Sequence, residues 1–238
     1  MGRFDQFQAL SFDCFGTLID WETGLSNAFQ PWAATHRIDA SAGQLVDAFA
    51  QHENVVQAET PTMLYPDVLA ESLRRVASSF HADVSDDELA EFGSSVGAWP
   101  AFADSAVSLQ RLAGRFKLII LSNVDRQSFA AANRRLGVHF DLVVTAQDVG
   151  AYKPSPTSFP MLIDRLGSIG IDQSQLLHVA QSLFHDHGPA QQVGLPSVWI
   201  DRRHDKAGLG ATPASTAQVD WRYVSMSAFA DDALGGGS

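Results

Sequence analysis

Short apolar runs recur along the chain, and most of the segments between them have the periodicity of amphipathic helices. The runs lie at 9–12, 116–121, 142–145, 176–180 and 197–200. Continuous apolar runs of this length are typical of parallel strands that are buried on both faces. Because strands and helices alternate, the pattern predicts an α/β fold with a doubly wound, mostly parallel sheet and right-handed crossovers.

Three predicted helices of this region each end at a glycine. Asp104 is a candidate N-cap for the first of them, which stops at Gly114. The other two span 126–136 and 156–166 and stop at Gly137 and Gly167. Glycine is the residue least penalised in a left-handed conformation, so we expect a left-handed helix end at each of the three.

The interval 20–100 breaks this alternation because it contains no convincing buried strand. Its helices are predicted at 21–36, 42–59, 65–80 and 86–97, the last opened by a capping box of Ser85 and Glu88. The sequence therefore predicts an all-helical domain at 20–100, inserted into an α/β core formed by 1–19 and 101–238. Most apolar residues of the insertion are expected to pack between its helices. Trp21, the nearest of them in sequence to the first strand, is expected to contact a substrate.

Composition narrows the classes of partner. With 16 basic and 27 acidic residues the net charge is -11, which makes nucleic acids and anionic membranes poor candidates and favours small molecules. The single cysteine, Cys14, excludes an intramolecular disulfide and a cysteine-built zinc site, as expected for a reducing compartment. No apolar stretch reaches membrane-spanning length, and the first residues do not have the pattern of a signal peptide. We expect a soluble, cytoplasmic protein.

Polar residues follow the predicted strands at the points where those strands end. They are Asp13, Ser122, Lys153 and Asp186. In open α/β sheets, ligands bind outside the carboxyl ends of the strands, so these side chains can converge. Asp13, with Gly16 allowing the backbone to curl back over it, is placed to act as a nucleophile, and a turn carboxylate is the alternative.

Four segments together resemble the haloacid dehalogenase superfamily of hydrolases. They are 13–18 (Asp-Cys-Phe-Gly-Thr-Leu), 121–123 (Leu-Ser-Asn), 153–154 (Lys-Pro) and 178–186 (His-Val-Ala-Gln-Ser-Leu-Phe-His-Asp). Each motif is short, but four in this order at strand ends and helix starts make a specific signal. The resemblance covers nearly the whole chain, and it implies a Rossmann-like core with a helical cap inserted directly after the first strand.

The resemblance implies a catalytic role for each of five residues. Asp13 attacks the substrate and forms an aspartyl ester. Lys153 keeps Asp13 ionised, and Asp186 holds Lys153 and helps to orient or activate water for the second step. Thr17 is expected to aim Asp13 through a hydrogen bond, and Ser182 to support the Lys153 and Asp186 network.

The substrate contacts are expected from two turns. Ser122 and Asn123 can donate hydrogen bonds into the crevice and hold a substrate carboxylate, assisted by backbone amides of the turn at Cys14 and Phe15. The alternative is that Ser122 and Asn123 form a structural turn and do not contact a substrate. The Cys14 thiol is expected to be structural, because strand alternation directs it away from Asp13 and no basic residue flanks it.

Two apolar or neutral residues stand where relatives with phosphatase activity carry acids. Phe15 occupies the position of the second aspartate, which protonates a leaving oxygen, and Gln181 occupies the position of a metal-binding aspartate. A halide needs no proton to leave, and Mg²⁺ prefers carboxylate oxygens. The sequence therefore predicts no metal site and no cofactor. His185 and His187 have no third ligand at a supporting spacing and are expected to be helix-cap or surface residues.

The function that the resemblance favours is a metal-independent hydrolase of small 2-substituted carboxylic acids, similar to type II L-2-haloacid dehalogenases. Relatives of this branch carry an arginine on an early cap helix near the halide, whereas 49–53 here reads Phe-Ala-Gln-His-Glu. One alternative is therefore a hydrolase that opens a strained ring of the azetidine-2-carboxylate type. A magnesium-dependent phosphatase and a non-catalytic ligand-binding protein are further alternatives. A homodimer is expected only by analogy with relatives.

Overall fold

The computed structural model describes residues 2–205, 212–213 and 215–236. Its strands are β1 (Ala9–Phe12), β2 (Lys117–Ser122), β3 (Leu142–Thr145), β4 (Leu176–Ala180), β5 (Ser197–Ile200) and β6 (Trp221–Tyr223). In the part of the chain described, they form one parallel sheet in the order β3-β2-β1-β4-β5-β6. The predicted fold class is confirmed. β6 is an addition, a short and half-exposed edge strand with no apolar run to predict it.

Helices connect the strands and also form the insertion. They are α1 (Trp21–Thr35), α2 (Ala42–Glu59), α3 (Tyr65–Ser79), α4 (Asp86–Gly93), α5 (Ser105–Ala113), α6 (Arg126–Leu136), α7 (Ala146–Val149), α8 (Ser158–Leu166), α9 (Gly188–Gln192) and α10 (Met226–Ala233). The predicted helix 86–97 is in fact α4 followed by a 3₁₀ turn at Ser95–Ala98. Among the described residues, no helix combines the length and apolar character needed to cross a membrane.

Alternate side chains of each strand point to opposite faces of the sheet, and both faces are buried. Leu10 and Phe12 of β1 belong to the larger hydrophobic cluster, and Ala9 belongs to the smaller one on the other face. β1 lies between β2 and β4, with Phe12 paired to Ile120 and Val179. The chain order reverses between β1 and β4, so the crevice for a ligand is expected at the carboxyl end of β1.

Helices α1 to α4 pack on one another through aromatic side chains. Phe29 contacts Phe92 and Phe49 at ring-centroid distances of 4.8 and 6.1 Å, and Phe49 also contacts Trp21 at 6.2 Å. The capping box at the start of α4 is confirmed, since Ser85 and Glu88 exchange hydrogen bonds. We call α1 to α4 the cap. The domain boundaries at 19/20 and 100/101 stay a prediction.

The expectations about helix ends are confirmed only in part. Asp104 is the N-cap residue of α5, as predicted, but its side chain makes no capping hydrogen bond and its carboxylate pairs with Arg202 at 2.8 Å instead. Gly137 adopts the left-handed conformation (φ 63°), but Gly114 and Gly167 are right-handed, with φ of -68° and -56°. After α8 the chain continues into a 3₁₀ turn, and the left-handed residue is Gly170 (φ 69°), three positions later.

Candidate active site

Asp13 lies immediately beyond β1, and two donors fix its carboxylate. Thr17 donates from Oγ1 to Asp13 Oδ2 at 2.7 Å, and Lys153 donates from Nζ to Oδ1 at 2.9 Å. Thr17 is fixed in turn, because the backbone N–H of Gln181 donates to its Oγ1 at 2.9 Å. The turn between them needs Gly16, whose φ of 92° is unfavourable for other residues. The turn that follows β1 therefore holds the Asp13 carboxylate in a fixed orientation at the carboxyl end of a central strand.

All three N–H groups of the Lys153 ammonium are used. They donate to Asp13 Oδ1 at 2.9 Å, to Asp186 Oδ1 at 2.5 Å and to the carbonyl oxygen of Leu121 at 2.9 Å. Asn123 fixes the lysine backbone, since its Nδ2 donates to Lys153 O at 2.9 Å and its Oδ1 accepts from Lys153 N at 2.6 Å. The ammonium is thus a fixed positive charge between two carboxylates.

Asp186 lies on a π-helical turn, Leu183–His187, of the kind that often occurs at functional sites. Its Oδ1 also contacts Nε2 of the buried His178 at 3.2 Å, and His178 Nδ1 contacts the Ser11 hydroxyl at 2.9 Å. Asp186 Oδ2 is buried and has no hydrogen-bond partner among the described residues. The described residues therefore leave the acceptor capacity of this oxygen unused.

Burial and charge act in opposite directions on these groups. Burial raises the pKa of Asp13 above its ordinary value, against the opposing effects of the Lys153 ammonium and the Thr17 hydrogen bond. Burial would also raise the pKa of Asp186, but Lys153 and His178 outweigh it and hold that pKa below its usual range. Burial would lower the pKa of Lys153, yet the two carboxylates raise it. Lys153 is therefore protonated, and Asp186 carries a full negative charge at neutral pH.

A cavity of about 110 Å³ opens above Asp13. Asp13, Asn123, Lys153 and Asp186 line it from the core, and residues of the cap and of the loop after β5 line the remaining sides. Since one water needs roughly 10–15 Å³ on this measure, the space fits a small organic molecule. The cavity lies at the predicted edge of the sheet.

Seven of the ten predicted site residues line this cavity: Asp13, Phe15, Trp21, Asn123, Lys153, Ser182 and Asp186. Thr17 is buried beneath it and bonded to Asp13. The side chains of Cys14 and Ser122 are buried and do not line it. Burial raises the pKa of the Cys14 thiol well above its ordinary value, as expected for a structural cysteine.

The expected roles of Ser122 and Ser182 need correction, and Asn123 has a function in addition to the expected one. The Ser122 hydroxyl is buried away from the cavity and finds no partner among the described residues, so the geometry does not offer it to a substrate carboxylate. Asn123 uses its amide to fix the Lys153 backbone. The Ser182 hydroxyl accepts from the backbone N–H of His185 and contacts that ring's Nδ1, and so it supports the π-helical turn rather than the ammonium.

Neither histidine is an exposed surface residue, and His187 is the N-cap residue of α9. His187 is buried, contacting the hydroxyl of Ser197 at 2.8 Å and the carbonyl oxygen of Ala180 at 3.0 Å. His185 lines the cavity and contacts Asn54 of α2 at 3.2 Å. Burial lowers the pKa of each ring to about 4, so both are neutral at pH 7.

Sequence reasoning missed two arginines, Arg202 and Arg203, which follow β5 after one intervening residue. Arg202 donates to the carbonyl oxygen of Thr17 at 2.9 Å and pairs with Asp104 at 2.8 Å. Arg203 pairs with Glu22 of α1 at 2.6 Å. Both arginines line the cavity. Their position after a buried strand is the same signal that identified Asp13, and it could have identified them.

A buried acid of the cap was also missed. Glu53 of α2 lines the cavity, and its Oε1 accepts a hydrogen bond from the Tyr65 hydroxyl at 2.9 Å. Burial raises the pKa of Glu53 to about 7, although the Tyr65 hydrogen bond opposes the shift. Tyr65 in turn lies 6.2 Å from the ring of Phe15, beside Asp13.

The donor set around Asp13 does not fit a hard divalent cation. Asp13 and Asp186 are both bonded to the Lys153 ammonium, which occupies the position between them. The neighbouring positions hold the side chains of Phe15 and Gln181, neither of which is anionic. Among the described residues, no group of three or more histidine, cysteine, aspartate or glutamate side chains could hold a metal ion.

Known proteins resemble the chain in sequence and in structure. Phosphoglycolate phosphatase of Escherichia coli (strain K12) is 27% identical over 223 residues, covering 84% of this chain and 83% of that protein. (S)-2-haloacid dehalogenase 4A of Burkholderia cepacia is 26% identical over 208 residues, covering 84% and 85%. These two similarities do not separate phosphatase from dehalogenase chemistry.

L-2-haloacid dehalogenase from Xanthobacter autotrophicus, solved with chloropropionic acid covalently bound, has the same fold. Its TM-score is 0.78 at 18% identity, covering 97% of this chain and 100% of that one. A family model for haloacid dehalogenase-like hydrolases matches residues 7–183, which include Asp13, Lys153 and the start of the π-helical turn. The chain therefore belongs to the haloacid dehalogenase-like hydrolase family.

Proposed function

We propose that this hydrolase cleaves the bond between C2 and a leaving group in a small 2-substituted carboxylic acid, without a metal ion, by the route of 2-haloacid dehalogenases. The observation that carries the proposal is the Asp13 carboxylate, fixed by Thr17 and Lys153 at the floor of a small cavity. Phe15 supports it, because this apolar neighbour gives no proton to an alkoxide leaving group and no charge to a metal.

In the first step, one Asp13 oxygen attacks the substituted carbon from the side opposite the leaving group, and an ester forms. The Lys153 ammonium and the Thr17 hydrogen bond favour the ionised form of Asp13, against burial and the charge of Asp186, both of which raise the pKa of Asp13. The cap limits access of water to the carboxylate, which leaves it more reactive than in solution. Asn123 has a second amide N–H besides the one it donates to Lys153, and we propose that this group binds the substrate carboxylate.

In the second step, water attacks the side-chain carbonyl carbon of the ester. The two Asp13 oxygens have different donors, Lys153 on Oδ1 and Thr17 on Oδ2. Whichever oxygen forms the ester, the other keeps a donor that stabilises the developing oxyanion. Asp186 lines the cavity and its pKa is held below the usual range, so its carboxylate is the group that we propose orients the attacking water.

The ester route is tested by a single turnover in ¹⁸O-water with enzyme in excess over 2-chlorobutyrate. We expect the heavy oxygen in the peptide that contains Asp13 and not in the first product molecule, because water attacks the ester carbonyl. Label in the product with none in the peptide would show direct attack by water and contradict the proposal. Chelator-sensitive phosphate release from phosphoglycolate would instead favour a phosphatase.

Replacing Thr17 with Val is expected to lower kcat by about 10²-fold, because it removes one donor from the Asp13 carboxylate. Thr17→Ser keeps the hydroxyl and is the matched control, expected to stay within about threefold of the wild type. Steady-state kinetics of the two variants on one substrate measures the difference. Equal activity of the Val and Ser variants would remove the hydroxyl from the mechanism.

A further inference from the structure

Ser11 and His178 form a buried polar pair beneath the active site. They are register partners on the adjacent strands β1 and β4, so their side chains lie on the same face of the sheet. His178 Nδ1 contacts the Ser11 hydroxyl at 2.9 Å, and both residues are fully buried. The other residues of these two strands are apolar, and burying a polar group costs free energy unless it is hydrogen-bonded. Packing alone does not explain why the core holds this pair.

The second ring nitrogen of His178 connects the pair to the active site. Nε2 lies 3.2 Å from Asp186 Oδ1. Because an ionised carboxylate can only accept hydrogen bonds, the hydrogen of this contact belongs to Nε2. Phe159 of α8 packs edge-on against the imidazole at a ring-centroid distance of 4.9 Å. The imidazole is therefore held by the Ser11 hydroxyl and the Phe159 ring while it donates to Asp186 from within the sheet.

Two donors on one oxygen determine the direction of the Asp186 carboxylate. Lys153 Nζ donates to Oδ1 at 2.5 Å from the segment between α7 and α8, and His178 donates to the same oxygen from β4. A carboxylate oxygen has two lone-pair sites, so these donors use the capacity of Oδ1. A carboxylate with one hydrogen bond can turn about that bond, whereas two donors from different elements fix it.

The two donors respond differently to the reaction. Lys153 also donates to Asp13, so its charge is shared between two carboxylates. When Asp13 becomes an ester it loses its negative charge, and the attraction of the ammonium toward it weakens. His178 has no hydrogen bond to Asp13 in the described part of the chain, so its contact with Asp186 does not depend on the charge of Asp13. His178 can therefore hold Asp186 in the same direction in both steps.

We propose that His178 is a positioning residue for the second step, which holds the Asp186 carboxylate in the direction needed to orient the water that attacks the ester. The inference rests on the proposed function, because it assigns a residue to the hydrolysis of the Asp13 ester. His178 acts through Asp186 and is not among the residues that line the cavity. Its loss is expected to slow the decay of the ester and to leave ester formation nearly unchanged.

Two substitutions of nearly equal shape test the donor. His178→Gln places an amide N–H close to the position of Nε2, whereas His178→Met has the same length and no donor. Each protein reacts in excess over 2-chlorobutyrate, and the ester is followed in quenched samples by intact-protein mass spectrometry. We expect His178→Met to lower the rate constant of ester decay by about 100-fold and that of ester formation by less than about threefold. His178→Gln is expected to restore decay to within about tenfold of the wild type.

Leu162→Ala is the control for a loss of stability. Leu162 belongs to the same hydrophobic cluster as Phe159 and does not line the cavity. This variant is expected to unfold at a lower temperature, with both rate constants within about threefold of the wild type. Equal loss of both steps in His178→Met, or decay as slow in His178→Gln as in His178→Met, would overturn the inference.

Ser11→Ala provides the test if neither His178 variant folds. It removes the hydroxyl that contacts Nδ1 and leaves the imidazole in place. We expect ester decay to slow by about fivefold, the effect of one lost hydrogen bond, with ester formation unchanged. Decay at the rate of the wild type in this variant would contradict the positioning role.

The same measurement distinguishes failure of this inference from failure of the proposed function. If neither the wild type nor His178→Met shows an ester with 2-chlorobutyrate, the ester route itself is wrong. An ester that forms and decays at wild-type rates in His178→Met would overturn only the role of His178.

Discussion

Replacing Asp13 with Asn is expected to lower kcat by at least about 10⁴-fold, because the amide is not a nucleophile and the ester of the proposed route can no longer form. The fold should persist. Asn keeps the shape and the acceptor for Thr17, and Lys153 retains Asp186 and the carbonyl oxygen of Leu121. Turnover is measured with the substrate that the wild type uses best, and folding is measured by thermal unfolding.

The stability of the Asp13→Asn variant has a definite sign. The folded-state pKa of Asp13 is raised, so its contribution to stability is greatest at low pH and is lost as pH rises through that pKa. At pH 7 the variant is therefore expected to unfold at the same temperature as the wild type or higher. Asp164→Asn, an exposed change on α8, serves as the control. An Asp13→Asn variant whose activity stays within about tenfold of the wild type would reassign the nucleophile.

Replacing Lys153 with Met is expected to damage both stability and activity, because it leaves two buried carboxylates without their shared cation. Removing one partner of a buried ion pair costs about 3–5 kcal/mol, and two acids depend on this one. We expect kcat to fall by at least about 10³-fold, since Asp13 loses the charge that keeps it ionised. Urea unfolding and steady-state kinetics measure the two effects.

The pH dependence of the Lys153→Met variant separates charge from shape. Lys153 holds the pKa of Asp186 down, a stabilisation that is present above the unfolded-state pKa and is lost as pH falls through the folded-state value. The stability gap between wild type and variant should therefore shrink below about pH 4. Residual activity should move to higher pH, because the pKa of Asp13 rises without the ammonium. Lys153→Arg keeps the charge and is expected to retain more stability than Lys153→Met; a gap independent of pH would contradict this electrostatic account.

The main features of the site could be predicted because they depend on strand order. Asp13 follows a buried strand, and Lys153 and Asp186 follow two others, so a parallel sheet brings the three together at one edge. Periodicity and turn residues were sufficient for that much.

The direction of each side chain could not be predicted in the same way. Ser122 and Asn123 are adjacent and both polar, yet only Asn123 reaches the cavity, and its amide fixes the Lys153 backbone. Their orientation is decided by the path of the loop that carries Lys153, which is distant in sequence. The predicted left-handed helix end at Gly167 is wrong because the chain continues from α8 into a 3₁₀ turn that ends at the left-handed Gly170.

Glu53 and Arg203 were missed because their importance depends on how the cap packs on the core. In the sequence, Glu53 is one acid of an amphipathic helix, and such acids are usually solvated. It becomes notable only when α2 lies over the carboxyl end of β1 and Tyr65 donates to it. Local patterns do not contain that docking geometry.

The ammonium of Lys153 has no hydrogen left to offer, because its three N–H groups are already donated within the protein. It can therefore lower the pKa of the Asp13 carboxylate, but it has no N–H group left to donate a hydrogen bond to the leaving group. On the proposed route, the attacking group is held by residues at the edge of the sheet, whereas the cap contributes part of the lining of the cavity that receives the substrate. Exchanging the helices while retaining the sheet should consequently redirect which compounds are consumed and preserve how they are consumed, a modular route by which one scaffold could acquire new substrates.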